Sequence, residues 1–413
     1  MSRDQDNSIF DKEEIMNKKI ISVAIPLALL AVLCAGFAAE ATSTPKVFKL
    51  GELQPLTGYA ATWGLTFHRG FEIAIDDLNS AGGIKVGNEK YRIELISYDT
   101  KAKPSEAKAA AERLIFKDGV KFILGPCVSP TTLAVQTVTE PNKVLIFDSA
   151  AAKEATGADK PYSFMPYFSV PARTDAVIKY IRKVHPEAKR FAIMNPDVES
   201  GRTDYEVEKH FLNVYGFEEV SSQFYPMDTK DFYPILSRLL AQKPDVISLG
   251  NSFGSPTILK QLGELGYTGV KMISIPTKAE LIYKTAGTAS DGLYISDEDY
   301  SSGGKFVTPE KRRFYETFIK KYGKGAWMSM ARAGYALVQI VSQAIEGAGT
   351  FDTDKVTHYL ETHDNHIHSL YGTWKVGPPG NRMAYHPIPI ARSEKGKFIT
   401  IAILPNPVPG KGK

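Results

Sequence analysis

The apolar positions of this chain alternate between two spacings from residue 47 to about residue 300. Short apolar-rich runs such as Val47–Leu53 and Arg92–Tyr98 have the pattern of β-strands. Between these runs, Phe67, Phe71 and Leu78 recur at helical spacing. Strands that alternate with helices form parallel sheets whose two faces are covered by helices. The pattern therefore predicts an α/β fold.

The same alternation continues along the chain. The further predicted strands are Lys121–Leu124, Val144–Phe147, Arg190–Met194, Ser221–Tyr225, Asp245–Leu249, Val270–Ile275 and Gly292–Ile295. The further predicted helices are Glu106–Phe116, Thr131–Thr139, Arg173–Val184, Thr203–Tyr215, Phe232–Ala241, Thr257–Leu265 and Ala279–Ala286. Two long helices, Pro309–Tyr322 and Ala326–Gly347, then precede an irregular tail rich in Pro and Gly. Two doubly wound blocks that divide near residue 168 fit this length better than one barrel.

The first 41 residues have the pattern of a secretory signal peptide. Lys18-Lys19 precedes an apolar run, Ile20–Ala39, and Ala39-Glu40-Ala41 fits a small-x-small cleavage site. The segment before it is acidic, which makes Met16 the expected true start. The run is also long enough to span a bilayer as an uncleaved anchor. Pro26 and the Ala-rich end favour cleavage, so we expect a mature protein in the periplasm.

Composition and charge exclude several classes of protein. The chain has 413 residues, and its 50 basic and 46 acidic side chains leave a net charge of +4. That balance is too even for a dedicated nucleic-acid binder. Cys34 and Cys127 are the two cysteines, which excludes a disulfide scaffold and a four-cysteine zinc site. After signal cleavage only Cys127 remains, so we expect no internal disulfide.

Ligands of open α/β sheets bind beyond the carboxyl ends of the strands. Functional residues are therefore expected in the turns that follow the predicted strands, at residues 54–64, 125–131, 148–156, 195–201, 250–256 and 274–278. In one of these turns, Ser129 or Thr131 is expected to be the N-cap of the next helix. The amide groups behind such a cap suit a carboxylate, although capping alone explains the same residues.

One segment has the pattern of an enzyme. Gly250-Asn251-Ser252-Phe253-Gly254 is a G-x-S-x-G sequence between a predicted strand and a helix, which is the setting of a hydrolase nucleophile. A secreted serine hydrolase built on Ser252 is therefore an alternative function. Its base and acid would come from the residues His363, His366, His368, His386, Asp291, Asp297 and Asp299. No oxyanion segment of the HGGG type precedes the motif, so we favour a glycine-rich turn.

Metals and cofactors are not expected. His363, His366 and His368 form a cluster, but their spacing is not that of a helical zinc site, and the segment has the polarity of a surface loop. We find no phosphate-binding or dinucleotide-binding glycine motif and no calcium loop. Cys127 is interpreted as a packing residue rather than a nucleophile.

The opening of the predicted fold resembles a known family. The segment Leu50–Gly58, followed by Ala61–Gly64 and Arg69-Gly70, resembles the start of type I periplasmic binding proteins, in their leucine/isoleucine/valine-binding branch. The resemblance continues through Asp76–Ile84 and resumes at Pro244–Ile247, and it covers nearly all of residues 46–375. The signal peptide and the two-block layout agree with it independently.

This resemblance implies two lobes that are joined by three crossovers and close on a ligand in the cleft. The expected lobes are residues 46–168 with 296–374, and residues 169–295 with 375–413. Such proteins are not enzymes and need no cofactor. They are mainly monomeric and deliver a small molecule to the membrane permease of an ABC importer. A ligand-sensing part of a receptor, anchored by an uncleaved N-terminal helix, is a further alternative.

The resemblance also implies a ligand pocket, residue by residue. Trp63 stands where the family places an aromatic residue against the ligand, and Ser129 where a hydroxyl receives the ligand carboxylate. The segment with Ala150, Ala151 and Ala152 corresponds to one that binds the ligand through its backbone. Three further positions correspond to pocket segments on the other lobe. They are Ser200, the pair Asn251 and Phe253, and Thr277.

The pocket departs from the family at its ammonium end. Amino-acid binders of the family carry an acidic residue just after the strand that ends at Ile273, whereas this chain has Ser274-Ile275-Pro276-Thr277. A buried ammonium without a carboxylate is costly. Glu199, Asp297, Glu298 and Asp299 are possible replacements, whereas Lys153 and Lys278 would repel an ammonium. We therefore expect an aromatic or aliphatic carboxylate, or an amide, to compete with amino acids as the ligand.

Overall fold

The computed structural model describes residues 46–150, 152–166, 169–250, 254–274, 277–298, 300, 305–363, 366–377 and 381–406. The predicted signal peptide therefore lies outside the described residues. No helix in these ranges is long and apolar enough to cross a membrane. Residues 47–413 fall in one compact unit.

Two large sheets organise this unit. The first contains β1 to β6, which are Lys46–Gln54, Ile84–Val86, Glu89–Asp99, Phe122–Leu124, Leu145–Phe147 and Ser163–Phe164. Its strand order is β2-β3-β1-β4-β5-β6, and β1, β4, β5 and β6 pair in parallel. Strands β4 and β5 are buried at every position, as expected for parallel strands with both faces covered.

The second sheet has seven strands. Five of them are β7 to β11, which are Arg190–Pro196, Glu218–Tyr225, Val246–Ser248, Val270–Ile273 and Leu293–Ile295. These five pair in parallel, in the order β11-β10-β9-β7-β8. The predicted class of two doubly wound, parallel-sheet lobes is confirmed.

Eleven α-helices connect and cover the sheets in the described part of the chain. In order, α1 to α11 are Ala61–Ser80, Pro104–Glu112, Ser129–Thr139, Val170–Val184, Glu199–Tyr215, Tyr233–Leu240, Ser255–Glu264, Ala279–Ala286, Pro309–Tyr322, Ala331–Ala348 and Thr353–Thr362. A π-helical turn, Arg113–Lys117, extends α2. The predicted α8 and α9 have the observed bounds, and most other boundaries differ by a few residues.

The predicted irregular tail is wrong. Beyond α10 the chain forms α11, a small hairpin of β12 (His368–Ser369) and β13 (Gly372–Thr373), and then a long hairpin of β14 (Ile388–Glu394) and β15 (Lys397–Leu404). Strand β14 pairs antiparallel with β11 and so completes the second sheet. The two-residue turn of the long hairpin, Lys395-Gly396, has positive φ at both positions, which matches the twist of the strands.

The connections between the two sheets are tied together. The connection after β6 pairs with the one before β14, because the Met165 amide donates to the Arg382 carbonyl at 2.9 Å and the Ala384 amide donates to the Met165 carbonyl at 3.0 Å. His386 is wholly buried beside them, and its Nδ1 lies 3.2 Å from the Thr373 carbonyl. These two connections therefore form one short ribbon.

The connection after β11 is held by largely buried ion pairs and a serine hydroxyl. Arg332, on α10, lies 3.2 Å from Glu298 and 3.5 Å from Asp297. Lys311, on α9, lies 2.6 Å from Glu298, and the Ser329 hydroxyl donates to Asp297 at 2.7 Å. We call these five residues the Arg332 network. It fixes the start of the connection to helices that pack against α1.

Helices α1 and α10 approach closely at two glycines. A Cβ on Gly70 would lie 2.2 Å from the Ala331 carbonyl oxygen, and a Cβ on Gly334 would lie 2.3 Å from that of Phe67. Neither backbone can yield without separating the helices. These glycines therefore set the distance between α1 and α10.

We predict that Gly334→Val lowers the free energy of unfolding by about 1–3 kcal/mol, because an overpacked site forces the two backbones apart. Urea unfolding followed by circular dichroism measures the change. Gly325→Ala is the matched control, since no heavy atom lies within 4 Å of its added Cβ. Equal stability of both variants would contradict this account of the helix pair.

Candidate functional site

The carboxyl edge of the first sheet contains buried polar groups. Gln54 ends β1 and is wholly buried, yet neither atom of its amide has a hydrogen-bond partner among the described residues. Gly125 follows β4 with φ of +89°, and a Cβ there would lie 2.7 Å from the Gln54 Nε2. Glycine is therefore required at this turn, and its missing side chain leaves room for the amide.

Asp148 lies at the same edge, directly after β5. One carboxyl oxygen, Oδ1, accepts a hydrogen bond from the Ala150 amide at 2.9 Å, while Oδ2 is buried and has no partner in the described ranges. Burial raises the pKa of Asp148 to about 8, and the Ala150 hydrogen bond offsets only part of that effect. The side chain is therefore mostly a neutral acid at pH 7, able to donate as well as accept.

Ser129 and the segment at Ala152 lie next to each other. Ser129 is the first residue of α3, is half-buried, and its Oγ accepts a hydrogen bond from the Ala152 amide at 3.1 Å. This bond uses a lone pair of Ser129 rather than its hydroxyl hydrogen. The amides of Ala150 and Ala152 are thus both engaged within the protein, and Ala151 lies outside the described residues.

The expected N-cap role of Ser129 or Thr131 is wrong. The N-cap of α3 is Val128, and no side chain makes a capping hydrogen bond there. The helix begins earlier than its apolar pattern indicates, because Pro130, in its second position, has a fixed φ that suits a first turn. The Thr131 hydroxyl instead donates to the Val128 carbonyl at 2.6 Å.

Trp63 lies in the first turn of α1 and is half-buried. The backbone next to Trp63 is fixed by close packing on Pro55, since a Cβ on Gly64 would lie 2.1 Å from the Pro55 carbonyl oxygen. The loop before α1 is anchored by Asp99, which accepts from the Leu56 amide at 2.8 Å. Burial alone would raise the pKa of Asp99, but hydrogen bonds led by that from Thr57 hold it below its usual value.

Two of the four site residues predicted on the second sheet lie in the described part of the chain. Ser200 is exposed in the first turn of α5, and Thr277 is half-buried just before α8. Gly201 packs so closely that a Cβ would lie 2.1 Å from the Pro196 carbonyl oxygen. Asn251 and Phe253 lie outside the described residues.

The charged residues considered for the ammonium end have other roles. Asp297 and Glu298 belong to the Arg332 network and are paired within the protein. The Lys278 ammonium donates to the Gly325 carbonyl at 3.0 Å, and burial, with the nearby Arg69 charge, lowers its pKa. Replacement of the missing acid by Asp297 or Glu298 stays a prediction. Asp299 and the side chains of Lys153 and Glu199 lie outside the described part.

The hydrolase alternative finds no support in the described residues. Its nucleophile, Ser252, lies outside them. Asp291 accepts a hydrogen bond from the Lys395 amide at 2.8 Å, and burial lowers the pKa of the wholly buried His386 to about 4. Burial also raises the pKa of the Cys127 thiol to about 12, which makes it a poor nucleophile at neutral pH. His363 stacks on Tyr359 with ring centroids 4.2 Å apart.

Two further features complete the geometry. Among the described residues, no group of three or more His, Cys, Asp or Glu side chains lies close enough to hold a metal ion. A cavity of about 730 Å³ lies at the opposite, amino-terminal edge of the second sheet, where His185, Asp245, Lys271 and Arg392 contribute to its lining. The cavity is therefore separate from the site predicted by the sequence.

Sequence reasoning missed several polar residues at the carboxyl edges. Gln54 and Asp148 stand at strand ends, and that position was the one reason to expect functional residues in their turns. Asp204 and Glu208, on α5, also lie buried behind strand ends, as described below. Their spacing of four residues on one helix face was the available signal.

Comparison with known proteins gives the family. The model of the family described as "Periplasmic binding protein" matches residues 47–397. The Leu/Ile/Val-binding protein homolog 7 of Brucella abortus is 28% identical over 353 residues, which cover 81% of this chain and 86% of that protein.

Solved structures share the fold. The branched-chain amino acid transporter substrate-binding protein LivJ of Streptococcus pneumoniae, in complex with isoleucine, has a TM-score of 0.74 and 18% identity, covering 87% of this chain and 100% of that one. A solute-binding protein of an ABC transporter from R. palustris, in complex with 4-hydroxybenzoate, has a TM-score of 0.72 and 22% identity, covering 89% and 99%. With the family model matched over most of its length, this chain belongs to the periplasmic binding protein family.

Proposed function

We propose that this protein is the substrate-binding component of an ABC importer and captures a small carboxylate in the cleft between its two sheets. The observation that carries the proposal is the meeting of Ser129, at the start of α3, with the segment at Ala152. A hydroxyl at a helix N-terminus suits a carboxylate, because the amide groups and the helix dipole favour negative charge there.

The ligand class follows from the chain's own side chains. Related folds bind isoleucine in one solved protein and 4-hydroxybenzoate in another, so the fold is compatible with both classes. Here the turn after β10 begins with Ser274, and the nearby Asp204 has the Arg173 charge as a partner. An ammonium would compete with Arg173 for Asp204. A carboxylate or an amide without an α-amino group therefore suits the site better.

The same proposal includes location and motion. Residues 1–41 would direct export to the periplasm, and the mature, monomeric protein would meet a membrane permease there. The moving lobes would be residues 46–168 with 296–374 and residues 169–295 with 375–413. Closure of these lobes on the ligand would be the signal that the permease recognises.

We predict that calorimetric titration of matched ligand pairs favours the partner without an amino group. Phenylpropionate should bind more tightly than phenylalanine, and 4-methylpentanoate more tightly than leucine, because an unpaired buried ammonium is disfavoured. Tighter binding of the amino acid in both pairs would return the protein to the amino-acid binders. Solution scattering of the protein with the tighter-binding ligand should show a smaller radius of gyration than that of the ligand-free protein. An unchanged profile would exclude closure.

We also predict that Ser129→Ala weakens carboxylate binding by about 1–3 kcal/mol, since the charged acceptor loses one hydrogen bond. The fold should be kept, as Ser129 is not the cap of α3. The dissociation constant for phenylpropionate and the thermal midpoint measure the two effects. Thr137→Ala, an exposed change on the same helix, is the control. Equal affinities of both variants would remove Ser129 from the site.

A further inference from the structure

Four hydrogen bonds join two acids of α5 to the carboxyl ends of β9 and β10. The Ser248 hydroxyl donates to Glu208 Oε1 at 2.6 Å and accepts from the Gly250 amide at 3.0 Å. The Ser274 amide donates to the Gly250 carbonyl at 3.2 Å, and the Ser274 hydroxyl donates to Asp204 Oδ2 at 2.7 Å. Because Asp204 and Glu208 are one turn apart on α5, the chain of bonds closes. We call these five residues the serine–acid ring.

The ring is buried and closely enclosed. All four of its side chains are at least 95% buried, and Ser248 and Glu208 are completely so. Gly250 has φ of +50°, and a Cβ there would lie 1.9 Å from Oδ1 of Asn195, at the end of β7. Gly250 therefore has little room to shift while the ring is intact.

The charges around the ring come from three elements. Arg173 on α4 faces Asp204, Glu219 on β8 faces Glu208, and the two ring acids face each other. Burial raises the pKa of Asp204, and the Ser274 hydrogen bond and the Arg173 charge lower it by less, so that the net value is about 6. Burial raises the pKa of Glu208 to about 8; the hydrogen bond from Ser248 offsets part of that rise, and the charges of Asp204 and Glu219 add to it. At pH 7 the ring thus carries about one negative charge.

We propose that Asp204 and Glu208 are positioning residues of the ligand cleft, which hold Gly250, just beyond the carboxyl end of β9, through Ser248 and Ser274 and make ligand capture weaken as the pH rises. This inference rests on the proposed function, because Gly250 lies on the second-sheet side of the proposed cleft. Neither acid needs to contact the ligand. Each acts through the serine that it binds.

Ionisation of Glu208 destabilises the ring and so weakens its hold on Gly250. A second charge in a buried ring repels that of Asp204, and Glu208 Oε2 has no partner among the described residues to compensate it. The pKa of Glu208 is higher in the folded chain than in the unfolded one, so its stabilising effect is present at low pH and is lost as the pH rises through about 8. In this proposal only the ring with a protonated Glu208 supports ligand binding, so the affinity for the ligand falls about tenfold between pH 7 and pH 9.

Hydrogen exchange of the ligand-free protein tests the ring directly. The protection factor of the Gly250 amide, corrected for intrinsic exchange, should fall about tenfold between pH 7 and pH 9 in the wild type. It should stay nearly constant in Glu208→Gln, which keeps the shape but does not ionise. Glu206→Gln, an exposed change on the same helix, should follow the wild type. Ser248→Ala should remove the protection at every pH.

Binding completes the test, with benzoate and phenylpropionate as probes, because their carboxylates remain ionised from pH 6 to pH 9. The dissociation constants should rise about tenfold between pH 7 and pH 9 in the wild type and Glu206→Gln, and remain flat in Glu208→Gln. Constant Gly250 protection in the wild type, or an identical pH profile in Glu208→Gln, would overturn the ring proposal. The expected exchange pattern without binding of either probe would support the ring as a device of the turn and overturn the proposed ligand class.

Discussion

The arrangement of the two sheets depends on the buried charges of the Arg332 network. The chain leaves the second sheet at β11 and immediately places Asp297 and Glu298 against Arg332 and Lys311, on helices that pack on α1. The charges of the two acids and the two bases balance, so the energetic cost of burying these ions is compensated. Loss of one partner would leave an uncompensated charge, which typically costs about 3–5 kcal/mol. The network therefore ties the carboxyl end of β11 to helices that pack with α1 on the first sheet.

The carboxyl edges of the two sheets differ in chemistry. The first sheet has the Gln54 amide, a mostly neutral Asp148 and the Ser129 hydroxyl, which in the proposed function would suit the oxygen atoms of a ligand. The second has Gly250, which is bonded to serines that bind ionisable groups. A ligand bound between them would meet hydrogen-bond donors on one side and a surface of tunable charge on the other. Specificity would then depend on both halves, while affinity for the carboxylate would depend mainly on the first.

The sequence predicted what is local and periodic. Parallel strands that are buried on both faces, and helices with an apolar stripe, leave a clear pattern, which is why the class and most elements agree with the structure. The hairpin of β14 and β15 was missed because Pro389 interrupts its first strand, and Pro in a run argues against a strand. Sequence gives less where tertiary contacts decide. Asp297 stands just after a strand end, as a cleft acid would, but no sequence pattern indicates its contact with Arg332, 35 residues away.

The ribbon formed by the connections around Met165 and Ala384 limits how the sheets can move. Three segments join the sheets, but two of them are hydrogen-bonded to each other and must turn as one. The third is fixed at its base by Arg332. A body that is held at two points keeps a single degree of freedom, rotation about the line between those points. We therefore expect rotation about that line to be the easiest motion of one sheet relative to the other.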